Sequence, residues 1–135
     1  MRIFLDANIL FSGAQSGSRM RAFLDVLFRQ AECITNAYAV EEARRNLELK
    51  SPAAIPNLDA LLRKCELVPA LAVELPVDLK AKDAPILSGA IVGQATHLLT
   101  GDERDFGHLF GKEVQGVKVV PPRMLADELV KLGWL

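Results

Sequence analysis

Arg2-Ile3-Phe4-Leu5-Asp6-Ala7-Asn8 and, much later, His97-Leu98-Leu99-Thr100-Gly101-Asp102 follow one pattern: a short apolar β-type run that stops at an acid. Asp6-Ala7-Asn8 favours a turn or a helix cap. Further short runs at Cys33-Ile34-Thr35, Glu66–Val68 and Val117–Val120 read as strands. Helical segments lie between them. After Ser16-Gly17-Ser18, Met20, Leu24, Leu27, Phe28 and Ala31 recur at helical spacing, with Arg21, Asp25 and Arg29 on a solvated opposite face. Asn36 is suited to cap a helix from about Ala37 to Lys50, with Val40, Ala43 and Leu47 as its apolar stripe. Strands alternating with helices predict an α/β domain with a mainly parallel sheet of about four to five strands.

The remaining segments are less periodic. Ala53 to Pro56 reads as a linker, Asn57 to Lys64 as a short helix, and Leu71 to Leu79 is interrupted by Pro76. Asp83-Ala84-Pro85 opens a helix through about Gln94, in which Gly89, Ala90 and Gly93 let a neighbouring element come close. Asp105-Phe106 starts a short helical turn, and Pro121-Pro122 precedes a terminal helix carrying Leu125, Leu129 and Leu132 on one face.

Composition narrows the class. The chain has 135 residues, half of them hydrophobic, and is read as one domain over 1–135. A formal net charge of -1 gives no overall basic excess of the kind a non-specific DNA binder carries. Cys33 and Cys65 match no zinc or redox spacing. Met1–Asp6 does not read as a signal peptide, and no apolar stretch approaches the roughly 20 residues that span a bilayer. A cytoplasmic protein with no membrane association is expected.

The acids carry the chemistry. In an open parallel sheet, ligands bind outside the carboxyl ends of the strands, so Asp6 and Asp102 fall at one edge. A right-handed crossover brings the start of the helix after Asp83 to that side, and Glu42, in the second turn of its helix, can reach it. Each acid alone has an ordinary role: Asp6 and Asp83 as helix caps, Asp102 as a turn residue, Glu42 as a surface acid beside Arg45 or Asn46. Together they favour a site. Carboxylates a few Å apart raise each other's pKa or attract a cation, and oxygen ligands favour Mg²⁺ or Mn²⁺ over zinc. Two such ions about 4 Å apart can activate water and stabilise the leaving oxygen of a phosphodiester. Asn8 and Thr100 would orient the ligands.

These residues resemble the PIN-domain family, and within it the VapC-like toxins of toxin–antitoxin systems. The resemblance spans nearly the whole chain: Ile3-Phe4-Leu5-Asp6-Ala7-Asn8-Ile9-Leu10, Thr35, Val40-Glu41-Glu42-Ala43-Arg44-Arg45-Asn46-Leu47, Lys82-Asp83-Ala84-Pro85-Ile86-Leu87, Ala90, and most specifically Leu98-Leu99-Thr100-Gly101-Asp102-Glu103-Arg104-Asp105-Phe106, with Val119-Val120-Pro121-Pro122-Arg123 at the tail. It implies a three-layer α/β/α fold and a Mg²⁺- or Mn²⁺-dependent endoribonuclease. Asp6, Glu42, Asp83 and Asp102 would be catalytic metal ligands, and the spacing to Leu47 favours Glu42 over Glu41. Asp105 would be a weaker or outer member, and Asn8 and Thr100 would position ligands and water. A homodimer and inhibition by an antitoxin are further implications. Lys82 departs from the family, where relatives often carry another acid.

Arg19, Arg21, Arg44, Arg45, Lys82 and Arg104 lie near the proposed edge and are candidates to hold RNA phosphates, although each alone reads as a solvated charge. His97 and His108 read as structural. Tyr38 and Trp134 stand alone, so no aromatic platform for RNA is visible. Among rival readings, a haloacid-dehalogenase-like phosphatase using Asp6 would need an acid where Asn8 stands. A receiver domain would need an acidic pair near the N-terminus. A flap nuclease would need a long arch insertion. A catalytically silent PIN-like binding module keeps all four acids and is separated from the nuclease by assay.

Overall fold

The structure is a computed structural model and describes residues 1–135. Strand β1 (Arg2–Leu5) leads into α1 (Ala7–Ala14) and α2 (Arg19–Gln30); β2 (Glu32–Asn36) into α3 (Ala37–Lys50) and α4 (Ile55–Leu62); β3 (Glu66–Val68) into α5 (Ala84–Val92). Strand β4 (His97–Leu99) is followed by the short α6 (Glu103–Phe106), then β5 (Glu113–Val114), β6 (Val117–Val120) and α7 (Pro122–Leu132). The sheet order is β3-β2-β1-β4-β6-β5, parallel except for β5. Helix α1 packs on α2, α3 and α4, while α5 packs against β1, β2 and β4. This is the three-layer α/β/α architecture expected from the sequence. No helix is long and apolar enough to cross a membrane.

The central strands explain the stability of this arrangement. Ile3, Phe4, Leu5, Leu98 and Leu99 are fully buried, as suits parallel strands covered on both faces. Each such side chain contributes roughly 1.5–3 kcal/mol by leaving water. The chain order reverses between β1 and β4, which makes the carboxyl ends of these two strands the topological switch point of the sheet. Asp6 directly follows the one and Thr100–Asp102 the other.

Two small devices fix how helices approach that end. Asn36 caps α3 through Oδ1, which accepts from the Ala39 N–H at 3.0 Å, and its Nδ2 donates to the Pro85 carbonyl at 3.2 Å. One amide therefore ties the start of α3 to the start of α5. Gly89 permits the contact: a Cβ there would meet the Asn36 amide and come within 2.8 Å of the Phe4 ring.

Two regions differ from expectation. The sheet has six strands rather than four to five. The extra strand is β5, joined to β6 by Gln115-Gly116, both at positive φ; this is the geometry of a tight hairpin, but Gln is not among the residues that announce it. Helix α4 begins at Ile55 rather than Asn57, with Pro56 in its first turn where its missing N–H costs nothing, and Pro52–Ala54 form a 3-10 turn instead of a linker. Of the two roles open to Asp6-Ala7-Asn8, the structure shows the cap: Asp6 is the N-cap of α1.

Candidate metal centre

Asp6 is only 4 % exposed. Its Oδ1 accepts from the Ala7 N–H at 2.6 Å, and its Oδ2 accepts from Thr100 Oγ1 at 2.7 Å and Asn8 Nδ2 at 3.0 Å. Asn8 Oδ1 in turn accepts from the Gly101 N–H at 2.8 Å, and Thr100 Oγ1 accepts from the Asp102 N–H at 3.1 Å. Asn8 and Thr100 thus lock the end of β1 to the loop after β4. Asp102 caps α6 through Oδ1, which accepts from the Asp105 N–H at 3.0 Å. Burial pushes the Asp6 carboxyl up to about 6; the hydrogen bonds from Thr100 and Ala7 oppose the shift and the charge of Glu42 adds to it.

Asp83 stands at the start of α5 but makes no capping bond. It is 6 % exposed, and its Oδ2 is buried without any hydrogen-bond partner. Its pKa is also raised to about 6, first by burial; Lys82 opposes this, and the charges of Asp105 and Asp102 add to it. An uncompensated buried carboxylate oxygen is costly, so Asp83 is held in a state that a cation would relieve.

Asp6, Glu42, Asp83 and Asp102 line a single cleft of about 300 Å³ together with Ala7, Asn8, Gly101 and Lys82. Glu42 reaches it half-buried from α3. None of Asp6, Glu42 and Asp102 forms a salt bridge. One oxygen from each of Asp83, Asp102 and Asp105 lies within 4.8 Å of the others, the tightest grouping of acids in the molecule. Asp105 differs from its neighbours: it is held by Lys82 Nζ at 2.7 Å and Lys80 Nζ at 2.9 Å. Those hydrogen bonds, Lys82 first, hold its carboxyl well below the usual range and raise Lys82 above the usual lysine value.

The proposed cationic residues separate. Lys82 is in the cleft. Arg104 lines an adjoining depression with Lys80, His108 and Asp78. Arg44 is turned to Asp59 at 2.7 Å, and Arg45 is exposed outside the cleft. Arg21 pairs with Asp25 at 3.4 Å. His97 bonds Thr96 and Glu128 at the opposite end of the sheet.

Sequence reasoning missed two cleft residues. Phe11 and Lys50 line it, with Lys50 Nζ 5.8 Å from the Phe11 ring centre. Their signal was helical spacing: Phe11 lies one turn after Asn8, and Asn46 and Lys50 lie one and two turns after Glu42. Asn46, weighed only as a surface partner of Glu42, also lines the cleft.

A parallel sheet with oxygen donors converging at its switch point defines a class: an α/β/α domain with a candidate divalent-cation site. The crystal structure of VapBC2 from Rickettsia felis bound to a DNA fragment from their promoter contains a chain that matches with a TM-score of 0.67 and 18 % identity, over 90 % of this chain and 98 % of that one. At that identity the likeness shows the fold, the PIN-like arrangement anticipated from the sequence. No family model and no curated protein matches the sequence.

Proposed function

We propose that residues 1–135 act as one PIN-like nuclease domain, a Mg²⁺- or Mn²⁺-dependent endoribonuclease that serves as the toxin of a toxin–antitoxin pair. The observation that carries this reading is the convergence of Asp6, Glu42, Asp83 and Asp102 on one cleft, with three of them lacking any cation and Asp83 Oδ2 lacking any partner. The donor set fits the ion: all oxygen, carboxylate-rich and open to solvent on one side, as Mg²⁺ and Mn²⁺ prefer.

In this reading Asp6, Glu42, Asp83 and Asp102 hold the metal. When bound, the ion supplies the Lewis acidity for hydrolysis of a phosphodiester by water. Thr100 and Asn8 keep the Asp6 carboxylate aimed, since both donate to Oδ2. Lys82 and Lys50 supply positive charge at the cleft for RNA phosphates, and Arg104 extends it into the adjoining depression. A homodimer, an antitoxin partner and a cytoplasmic site of action belong to the same reading. The solved VapBC2 structure, which holds a promoter DNA fragment, lends support to the toxin–antitoxin role.

The test is cleavage of a mixed RNA substrate by wild type and Asp6→Asn, with Mn²⁺ or Mg²⁺ and with EDTA. Metal-dependent cleavage lost in the variant is expected. Absence of cleavage by the wild type with every metal would replace the nuclease with a PIN-like binding module.

A further inference from the structure

The site contains a lysine inside its tightest acid grouping, and its contacts divide the carboxylates into two sets. Lys82 Nζ lies 2.7 Å from Asp105 Oδ2 and 3.5 Å from Asp83 Oδ1, and Lys80 Nζ lies 2.9 Å from Asp105 Oδ1. Both oxygens of Asp105 are therefore held by ammonium groups, and its side chain is only 5 % exposed, so it has little room for another cation. Asp83 is the shared member. Its Oδ1 faces Lys82, whereas its buried Oδ2 has no partner. Asp6, Glu42 and Asp102, which line the cleft with it, have no positively charged neighbour in contact.

We propose that Lys82 is a built-in cation occupying the Asp83–Asp105 side of the centre, so that this chain binds a single divalent ion, on the Asp6–Glu42–Asp102 side of Asp83, and Asp105 is not a ligand. The inference rests on the metal-centre reading above and adds its stoichiometry. An ammonium and a divalent ion compete for the same lone pairs. Displacing Lys82 from Asp105 would cost a charge-assisted hydrogen bond at a largely buried acid, and a second ion there would also face the positive charge of Lys80 at short range. On the other side no ammonium is in contact with the acids, Lys50 lying over the Phe11 ring instead, and the unpartnered Asp83 Oδ2 is a free acceptor. Lys82 has a positioning role in this scheme: by pulling on Oδ1 it fixes which oxygen of Asp83 is left for the metal.

Mn²⁺ binding to the purified full chain, followed by electron paramagnetic resonance and calorimetry, tests this without reference to turnover. The expected result is one Mn²⁺ per chain for wild type and two for Lys82→Glu. Asp105→Asn is expected to retain the one-ion stoichiometry with affinity within about threefold, whereas Asp102→Asn loses affinity by more than roughly 100-fold, beyond what loss of an outer partner costs. Circular dichroism melts confirm that each variant is folded, and Lys82→Gln, which removes the charge with little change in size, serves if Lys82→Glu is not. Under Lys82→Gln the second ion binds weakly but measurably. Two ions of similar affinity in wild type, or an Asp105→Asn loss as large as that of Asp102→Asn, would overturn the proposal while leaving the nuclease reading intact. One ion in wild type with no RNA cleavage would do the reverse. Absence of Mn²⁺ binding overturns both.

Discussion

The two ends of the parallel sheet handle acids in opposite ways. At the amino end, Glu32, Glu66 and Glu128 each have a cation. Arg2 at the start of β1 donates to Glu32 at the start of β2, at 3.0 Å, and to Glu66 at the start of β3; Glu128 on α7 receives His97 at 3.1 Å and Lys118 at 3.5 Å. At the carboxyl end, Asp6, Glu42 and Asp102 have none, and Asp6 and Asp83 are nearly inaccessible. An arrangement that pairs these three acids at one end and leaves three unmatched at the other, where only Asp83 and Asp105 meet lysines, is holding a cost at the second end. The folded state accepts it because neighbouring hydrogen bonds keep the carboxylates in place. Sites whose stability is sacrificed locally are where function is expected.

The largest effect that would break the contrast is on cleavage. Asp102→Asn and Asp6→Asn are expected to reduce metal-dependent RNA cleavage by at least about 100-fold, more than loss of an outer hydrogen-bond partner, with circular dichroism unchanged. If either keeps wild-type cleavage, the unpaired acids at the carboxyl end are not the catalytic group.

The contrast also predicts how stability follows pH and metal. Asp6 titrates near 6 in the fold against 3.8 in its unperturbed form, and Asp83 is shifted the same way. Between those values the folded state holds more protons than the unfolded one, so stability decreases as pH rises. For Asp6 alone the effect is on the order of 3 kcal/mol. In EDTA, the urea midpoint is expected to decline from about pH 4 to about pH 7. Asp105, whose pKa is lowered by its lysines, works in the other direction, losing its contribution only as pH falls below the ordinary carboxylate range. Mn²⁺ at 100 times its Kd should restore roughly 2.7 kcal/mol at pH 7.5 and much less at pH 5, where protons compete for the same oxygens. A midpoint that rises with pH in EDTA, or a metal effect that is equal at both pH values, would contradict the unmatched-charge account.

Much of this asymmetry was legible in the sequence, and the reason is local. Asp6 and Asp102 each follow a short apolar run directly, so strand direction alone carries them to one edge. Asp83 and Glu42 sit at fixed distances from the helix starts set by Pro85 and Asn36. What escaped were features that depend on side-chain reach rather than on chain position. Lys82 and Lys80 fold back on Asp105 from an irregular segment without periodicity. Arg44, a candidate RNA contact by its place in the chain, points to α4 because Asp59 is there to receive it. Phe11 and Lys50 carry no sequence signal beyond helical spacing, because nothing in a single helix reveals that α1 and α3 share the cleft.

Neutralising one acid at each end gives the finest test, because the two substitutions should differ in sign. Asp6→Asn removes a buried charge with no cation, so at pH 7.5 in EDTA it should raise stability by about 1 kcal/mol. This is less than the full titration effect, since the amide replaces an acceptor of the Thr100 hydroxyl with a donor. It should also abolish the stabilisation by Mn²⁺. Glu66→Gln removes the 59 % exposed partner of Arg2. Exposed pairs are worth at most about 1 kcal/mol, so a small loss of stability is expected, with cleavage and metal binding unchanged. Equal destabilisation by both would mean that Asp6 is paid for by its hydrogen bonds alone, and that the carboxyl end of the sheet is no less satisfied than the amino end.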